Sequence, residues 1–339
     1  MKRRGRQWRE GIQVYSARKD GRKMSKKWLR GFGIAALLAG LAALVFISRS
    51  YSQAQNKPAG KTQIVFLGTG YPRPDPDRMG PSVAIVVNGS SYIVDCGTGV
   101  VRRAEAAQRK GVDALSMPNL KTVFISHLHS DHTLGYADLI FTPWVMHRTV
   151  PLDAYGPTGL KEMTDHILAA YREDNDIRIN GLEHANTTGN KVNVHEISPG
   201  VVYKDQNVTV KSFLVKHGSW AQAFGYRFET PDRTIVISGD TSPAESIVEN
   251  CDRCDVLIHE VYTGMGYTNS TADWRKYILS FHTSAKELAE IATKAKPGLL
   301  ILYHQMYFGG PTDTEEGLLK EMHQRYGGKV VSAHDLDIY

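Results

Sequence analysis

From residue 62 onward, short apolar or alternating runs (IVFLG, VAIVVN and SYIVDCG) precede a helix-period stretch over 100 to 110, and TVFIS follows. The period of two in the runs and of 3.6 in the stretch predicts strands interleaved with helices. Asn88-Gly89 between two alternating runs predicts a tight hairpin, so part of the sheet is antiparallel and a doubly wound nucleotide fold is disfavoured. The middle of the chain reads as a helix over 158 to 171, a polar loop over 172 to 191, and strands near 192 to 197, 207 to 215, 223 to 229 and 234 to 238. The last third returns to alternation: strand DVLIHEV, helix 283 to 295, strand LLILYH, helix 313 to 326 and a terminal strand in KVVSA. With no internal repeat at a 20 to 50 residue period, one α/β domain over 62 to 339 accounts for the pattern.

The segment ahead of that domain has a different character. Residues 1 to 54 hold thirteen Lys and Arg against two acids, a charge of +11, so the net +6 of the whole chain leaves −5 for the remainder. Residues 1 to 30 are basic. Residues 31 to 47, GFGIAALLAGLAALVFI, are uncharged and apolar, and 48 to 61 form a polar linker. That order predicts a secretory signal or a membrane anchor, with the small residues of Ser52-Gln53-Ala54 available for cleavage and Met24 an alternative start. The expectation is therefore a periplasmic body, or an extracytoplasmic body held at the membrane by this segment. Three cysteines, Cys96, Cys251 and Cys254, are too few for a disulfide framework or a structural zinc site, and no function is assigned to them.

Candidate chemistry begins where TVFIS ends. His127, His129, Asp131 and His132 place three imidazoles and a carboxylate within six positions, the nitrogen and oxygen donors that a borderline cation prefers. The pattern H-x-H-x-D-H arises by accident about once in a thousand chains of this composition. In extended backbone His127 and His129 point to one side, while Asp131 and His132 follow as the chain turns. His217, Asp240 and His304 each come at the end of a separate strand-like run, where side chains face an open cleft, and are candidates to complete a site for two ions. Gly68-Thr69-Gly70 lacks the remaining positions of a phosphate-binding loop and reads as a tight strand exit.

These positions, in order along the chain with Phe66-Leu67-Gly68-Thr69-Gly70, Asp95-Cys96-Gly97-Thr98-Gly99, Gly239-Asp240-Thr241, His259-Glu260 and His282-Thr283-Ser284-Ala285, resemble the metallo-β-lactamase superfamily. The likeness is to its branch of ribonuclease Z and arylsulfatase-like hydrolases. The resemblance implies an αββα four-layer sandwich with a metal cleft at one edge. It implies two zinc ions, with Mn2+ or Fe2+ as alternatives: one held by His127, His129 and His217, the other by Asp131, His132 and His304, with Asp240 bridging them and a shared hydroxide as nucleophile. Asp131, Glu260 and His282 become the catalytic residues, His282 as proton donor with Glu260 behind it raising its pKa. Asp95 becomes a residue that orients a loop or a ligand histidine.

For the substrate, the expectation is a sulfate ester or phosphodiester of a small anionic molecule. A ribonuclease Z-like transfer-RNA 3′ endonuclease and a lactonase or β-lactamase-type hydrolase are the alternatives. Nucleic acid is disfavoured on two grounds: only 22 residues separate His217 from Asp240, too few for a protruding RNA-binding arm, and the body is acidic and expected to be exported. Phe141, Trp144 and Arg148 after the metal loop, and Trp220, Trp274, Tyr277 and Phe281 around His217 and His282, are candidates for an apolar wall with one cation; Trp144, Arg148 and Trp274 are the expected substrate contacts. A homodimer stays open.

Overall fold

A computed structural model describes residues 61 to 264, 271 to 309 and 313 to 339. The basic segment, the expected signal or anchor and most of the linker lie outside the described residues. Among the described residues no helix is long and apolar enough to cross a membrane.

The first sheet has six strands in sequential order: β1 (Gln63–Gly68), β2 (Ser82–Val87), β3 (Ser90–Val94), β4 (Thr122–Phe124), β5 (Leu152–Gly156) and β6 (Val192–Glu196). β1 to β3 form an antiparallel meander through the Asn88-Gly89 hairpin, and β3 to β6 run parallel. The second sheet has seven, β7 (Gly200–Lys204), β8 (Thr209–Leu214), β9 (Phe224–Glu229), β10 (Thr234–Ile237), β11 (Val256–Tyr262), β12 (Leu299–Met306) and β13 (Val330–Ser332). It is antiparallel from β7 to β10 and parallel from β10 to β13.

The period of two in the strands explains the layers. In β1, Ile64 and Phe66 face the second sheet and pack with Phe124, Phe228, Ile258 and Tyr303, whereas Val65 and Leu67 face outward under helix Val100–Arg109. On the far side, Val236, Leu257 and Leu300 lie beneath helices Glu245–Cys251, Ala285–Ala295 and Glu315–His323. Helix, sheet, sheet and helix form the expected αββα order.

Several elements depart from the expected pattern. The polar loop contains helix Arg172–Asn180, which has no buried residue and is held by pairs one turn apart such as Arg178 with Asp174. With no apolar stripe it leaves no period to read. Strand β7 is mostly exposed and was equally unmarked. Helix Tyr136–Val145 follows the metal loop, and helix Ala272–Phe281 contains Trp274, in a polar stretch between DVLIHEV and helix 283 to 295 for which no element was expected. Cys251 and Cys254 form a local disulfide at the end of helix Glu245–Cys251.

Candidate metal centre

β4, β8 and β10 end at the same edge of the sandwich, and the chain leaving each of them carries ligand candidates. His127 comes three residues after the end of β4, and His217 and Asp240 come three residues after the ends of β8 and β10. His304 differs: it lies within β12 as the extra residue of a bulge, since Glu260 pairs with Tyr303 and Val261 with Gln305. Its φ of 47° turns the imidazole out of the strand's alternation and into the cleft.

All seven side chains converge. His129 Nδ1 lies 3.0 Å from both His127 Nε2 and His217 Nε2. On the other side, His304 Nε2 and His132 Nε2 lie 3.3 and 3.4 Å from Asp131 Oδ2. Asp240 stands between the groups, with Oδ1 3.4 Å from His132 Nε2 and Oδ2 3.4 Å from His304 Nε2 and 4.0 Å from His217 Nε2. His282 is close to the same carboxylate, at 3.9 Å.

The surrounding hydrogen bonds fix which nitrogen is bare. The buried Asp95 carboxylate, on a backbone with φ of 58°, accepts from the Ser126 amide at 2.7 Å, from Ser126 Oγ at 2.8 Å and from His132 Nδ1 at 2.9 Å. Because Ser126 Oγ donates to Asp95, it accepts from His127 Nδ1, 3.0 Å away. His217 Nδ1 donates to the Phe281 carbonyl at 2.8 Å. The Nε2 atoms of His127, His132 and His217 are thereby left with lone pairs aimed into the cleft, the arrangement that outer hydrogen bonds impose on metal-binding histidines. Among the described residues, His132 Nε2, Asp240 Oδ1 and His282 Nδ1 are buried without a hydrogen-bond partner. A pocket in which imidazole nitrogens and carboxylate oxygens face one another at 3 to 4 Å fits divalent cations.

Charge follows the same division. Burial holds His127 well below the ordinary imidazole range, lowers His129 and holds His217 at about 3, so the first triad is neutral. In the second, burial opposes protonation of His132 but the carboxylates of Asp240, Asp131 and Asp95 outweigh it and raise its pKa. Asp240 stays ionised against its burial through His304 and His132.

Glu260 does not raise the pKa of His282 as anticipated. Burial pulls His282 down to about 4, more than the Asp240 carboxylate offsets, and burial pushes Glu260 well above the carboxylate range. Glu260 Oε1 lies 3.5 Å from His282 Nδ1 and accepts from the amides of Thr241, at 3.3 Å, and Thr283, at 2.9 Å. It ties together the residues that directly follow Asp240 and His282, a positioning role. His259 turns the other way and bonds to the Glu260 carbonyl.

Two expected substrate contacts are corrected. Arg148 is wholly buried, and its guanidinium donates to the carbonyls of Leu120, Leu139, Ile140 and Gly189. Trp144 packs in the same outer core and donates to the Asn186 carbonyl. Trp274 is 46% exposed. Ser126 and the Phe281 carbonyl, which orient ligands, carried no sequence signal because the Asp95 carboxylate that fixes the Ser126 hydroxyl and the His217 that the Phe281 carbonyl holds are remote from them in the chain.

The chain belongs to the β-lactamase superfamily: its residues 91–305 match the Beta-lactamase superfamily domain. Within that superfamily its similarity is to ribonuclease Z. It is 34% identical over 258 residues to Ribonuclease Z of Mycobacterium bovis, covering 75% of this chain and 89% of that protein, and 34% identical over 280 residues to Ribonuclease Z of Mycobacterium marinum, covering 81% and 96%. Human tRNase Z, short form, shares the fold with a TM-score of 0.59 at 23% identity, over 82% of this chain and 98% of that one. The metallo-β-lactamase fold protein YhfI from Bacillus subtilis does so with a TM-score of 0.63 at 20% identity, over 83% and 100%.

These relatives overturn three expectations. An arylsulfatase-like small-molecule substrate gives way to the ribonuclease branch. The exclusion of nucleic acid falls with it: the interval after His217 does consist of a turn, β9 and β10, but neither a short interval nor a net charge of the body reports where individual cations lie. The periplasmic or membrane-anchored placement, which had been used against RNA, is not supported by relatives of this kind, and its basis lies outside the described residues.

Proposed function

We propose that this chain is a metal-dependent ribonuclease that hydrolyses a phosphodiester bond in a transfer-RNA precursor, using His127, His129, Asp131, His132, His217, Asp240 and His304 as ligands for two divalent ions, with zinc the first choice. The observation that carries the chemistry is Asp240: one carboxylate faces histidines of both groups, with distances of 3.4 Å to each of His132 and His304 and 4.0 Å to His217. The RNA substrate is supported by the ribonuclease Z relatives that this chain matches over most of their length.

Divalent ions held there supply Lewis acidity toward the phosphate and the attacking water. The protein's own residues do the rest. Asp95 and Ser126 keep His127 and His132 in the tautomers that leave Nε2 free. Asp131 and Asp240, both held ionised, would supply the negative charge that divalent ions need beside the neutral histidines of the first group. His282, buried beside Asp240, is assigned the proton for the leaving oxygen, a role in which the negative charge of a bound phosphodiester must raise its pKa from about 4, and Glu260 sets its position through the Thr283 amide.

A panel of substrates tests this reading. The zinc- or manganese-loaded chain should cut precursor transfer RNA, with 4-nitrophenyl sulfate and nitrocefin poor by comparison. Efficient turnover of the sulfate or the lactam with intact RNA would contradict it.

A further inference from the structure

Helix Ala272–Phe281 carries an aromatic run that ends on the metal ligands. Trp274 and Tyr277 stack with centroids 5.0 Å apart and planes within 20°, and Tyr277 and Phe281 follow at 4.4 Å and 26°. Phe281 then meets His217 edge-on at 4.9 Å and lies nearly parallel to His129 at 6.1 Å. Spacings of three and four residues put the three rings on one helix face.

The run is locked to the metal loop. The amide of Gly218 donates to the Ser280 carbonyl at 2.9 Å, and His217 Nδ1 donates to the carbonyl of Phe281. A side chain at Gly218 would collide with the Phe281 ring, so the glycine after the ligand histidine is what lets that ring approach. Alongside the rings runs an open cleft of about 450 Å³, lined by Gly218, Ser219, Asp273, Lys276, Tyr277 and Phe281. Lys276 is exposed within it, and Lys216, exposed, precedes the ligand His217.

Resting on the ribonuclease reading, we propose that Trp274, Tyr277 and Phe281, with Lys276 beside them, form a platform for unpaired nucleotides adjoining the scissile phosphodiester. A base laid on Trp274 continues a stack whose planes are already aligned, and every base offers such a face only when unpaired. Lys276 supplies a cation for the backbone of the same strand. The rings step from Trp274 to Tyr277, Phe281 and His217 with centroid spacings of 5.0, 4.4 and 4.9 Å, so the stacked nucleotides lie within a few residues of the cut. The platform gives an acidic body a local means of holding RNA through stacking, with few phosphate contacts.

The test uses the full zinc-loaded chain and two precursor transfer RNAs that differ only in the unpaired trailer, one natural and one with abasic residues next to the cleavage point. In the wild type kcat/KM for the natural trailer should exceed that for the abasic one by about tenfold, the typical worth of one stacked base. In Trp274→Ala that ratio should fall toward one, and Trp274→Phe should keep most of it. Lys276→Ala should lower kcat/KM for both RNAs and flatten the salt dependence. Equal cleavage of both RNAs by the wild type, or an unchanged ratio in Trp274→Ala, would overturn the platform while leaving the ribonuclease reading intact. A ratio unchanged by Trp274→Ala together with an altered oligomeric state would assign the rings to a contact between copies instead. Absence of cleavage by the wild type would overturn both.

Discussion

His132 Nδ1 donates to Asp95 Oδ2 at 2.9 Å, between side chains that are both buried, and the same carboxylate reaches His127 through Ser126. One residue outside the ligand set thus fixes the tautomers of two ligand candidates, one in each group.

Asp95→Asn should therefore weaken zinc binding by about 10- to 100-fold, the usual cost of losing a partner behind a ligand histidine. Competition with a chromophoric chelator measures it. Affinity equal to that of the wild type would show that the bond does not orient His132.

Gly97 packs where a Cβ would lie 2.6 Å from the Asp131 carbonyl oxygen and 2.3 Å from the Gly80 carbonyl carbon, both backbone atoms. Gly97→Ala should displace the Asp131 loop, lowering metal affinity and costing about 1–3 kcal/mol of stability. Thermal unfolding and metal titration together check both parts. A stable variant with full metal content would contradict the packing argument.

Arg148 should matter for folding and not for substrate. Arg148→Ala leaves four buried carbonyls without their donor, so the loss should be about 3 kcal/mol or more. Denaturant unfolding should show it, while the KM of the folded fraction stays that of the wild type. A raised KM with undiminished stability would restore the substrate role read from the sequence.

His259 lies outside the ligand set and is held neutral by burial, with its pKa lowered to about 4. The unfolded chain takes up that proton near 6.5, and the folded chain does not until about 4. Its contribution is therefore fully present above about 6.5 and is lost as the pH falls toward 4, by about 3 kcal/mol in total. In metal-free protein, stability should decline over that window, and His259→Phe should flatten the decline. A variant with a steeper decline would reverse the assignment.

How much of this was legible in the sequence depended on whether a group's partners lie near it along the chain. His127, His129, Asp131 and His132 were legible because one strand exit carries all four, and His217 and Asp240 because each leaves its own strand at the same edge. The conformation of His304 was not, because its bulge exists only through pairing with β11. Trp144 and Arg148 were misread because closeness to the metal loop in sequence was taken for closeness in space. Helix Tyr136–Val145, a Pro-containing helix of low amphipathic contrast, instead carries Trp144 into the outer core, and Arg148 just beyond it is buried there. The aromatic run of helix Ala272–Phe281 was visible as residues but not as a stack, since the helix that aligns the rings was not expected there. The substrate was misread because net charge and the composition of an N-terminal segment were made to speak for a site whose chemistry is set by individual residues.

The central claim is that Asp240 joins two metal-binding groups into one RNA-cleaving centre. Its most direct test is single-turnover cleavage of a labelled precursor transfer RNA, with bound zinc measured on the same samples. The wild type should hold about two ions per chain and cut the RNA at one position, with a chelator abolishing the cut. Asp240→Ala should lose at least one ion and essentially all cleavage. An intact RNA with the metal-loaded wild type, or an Asp240→Ala chain that keeps both ions and still cleaves, would contradict the account.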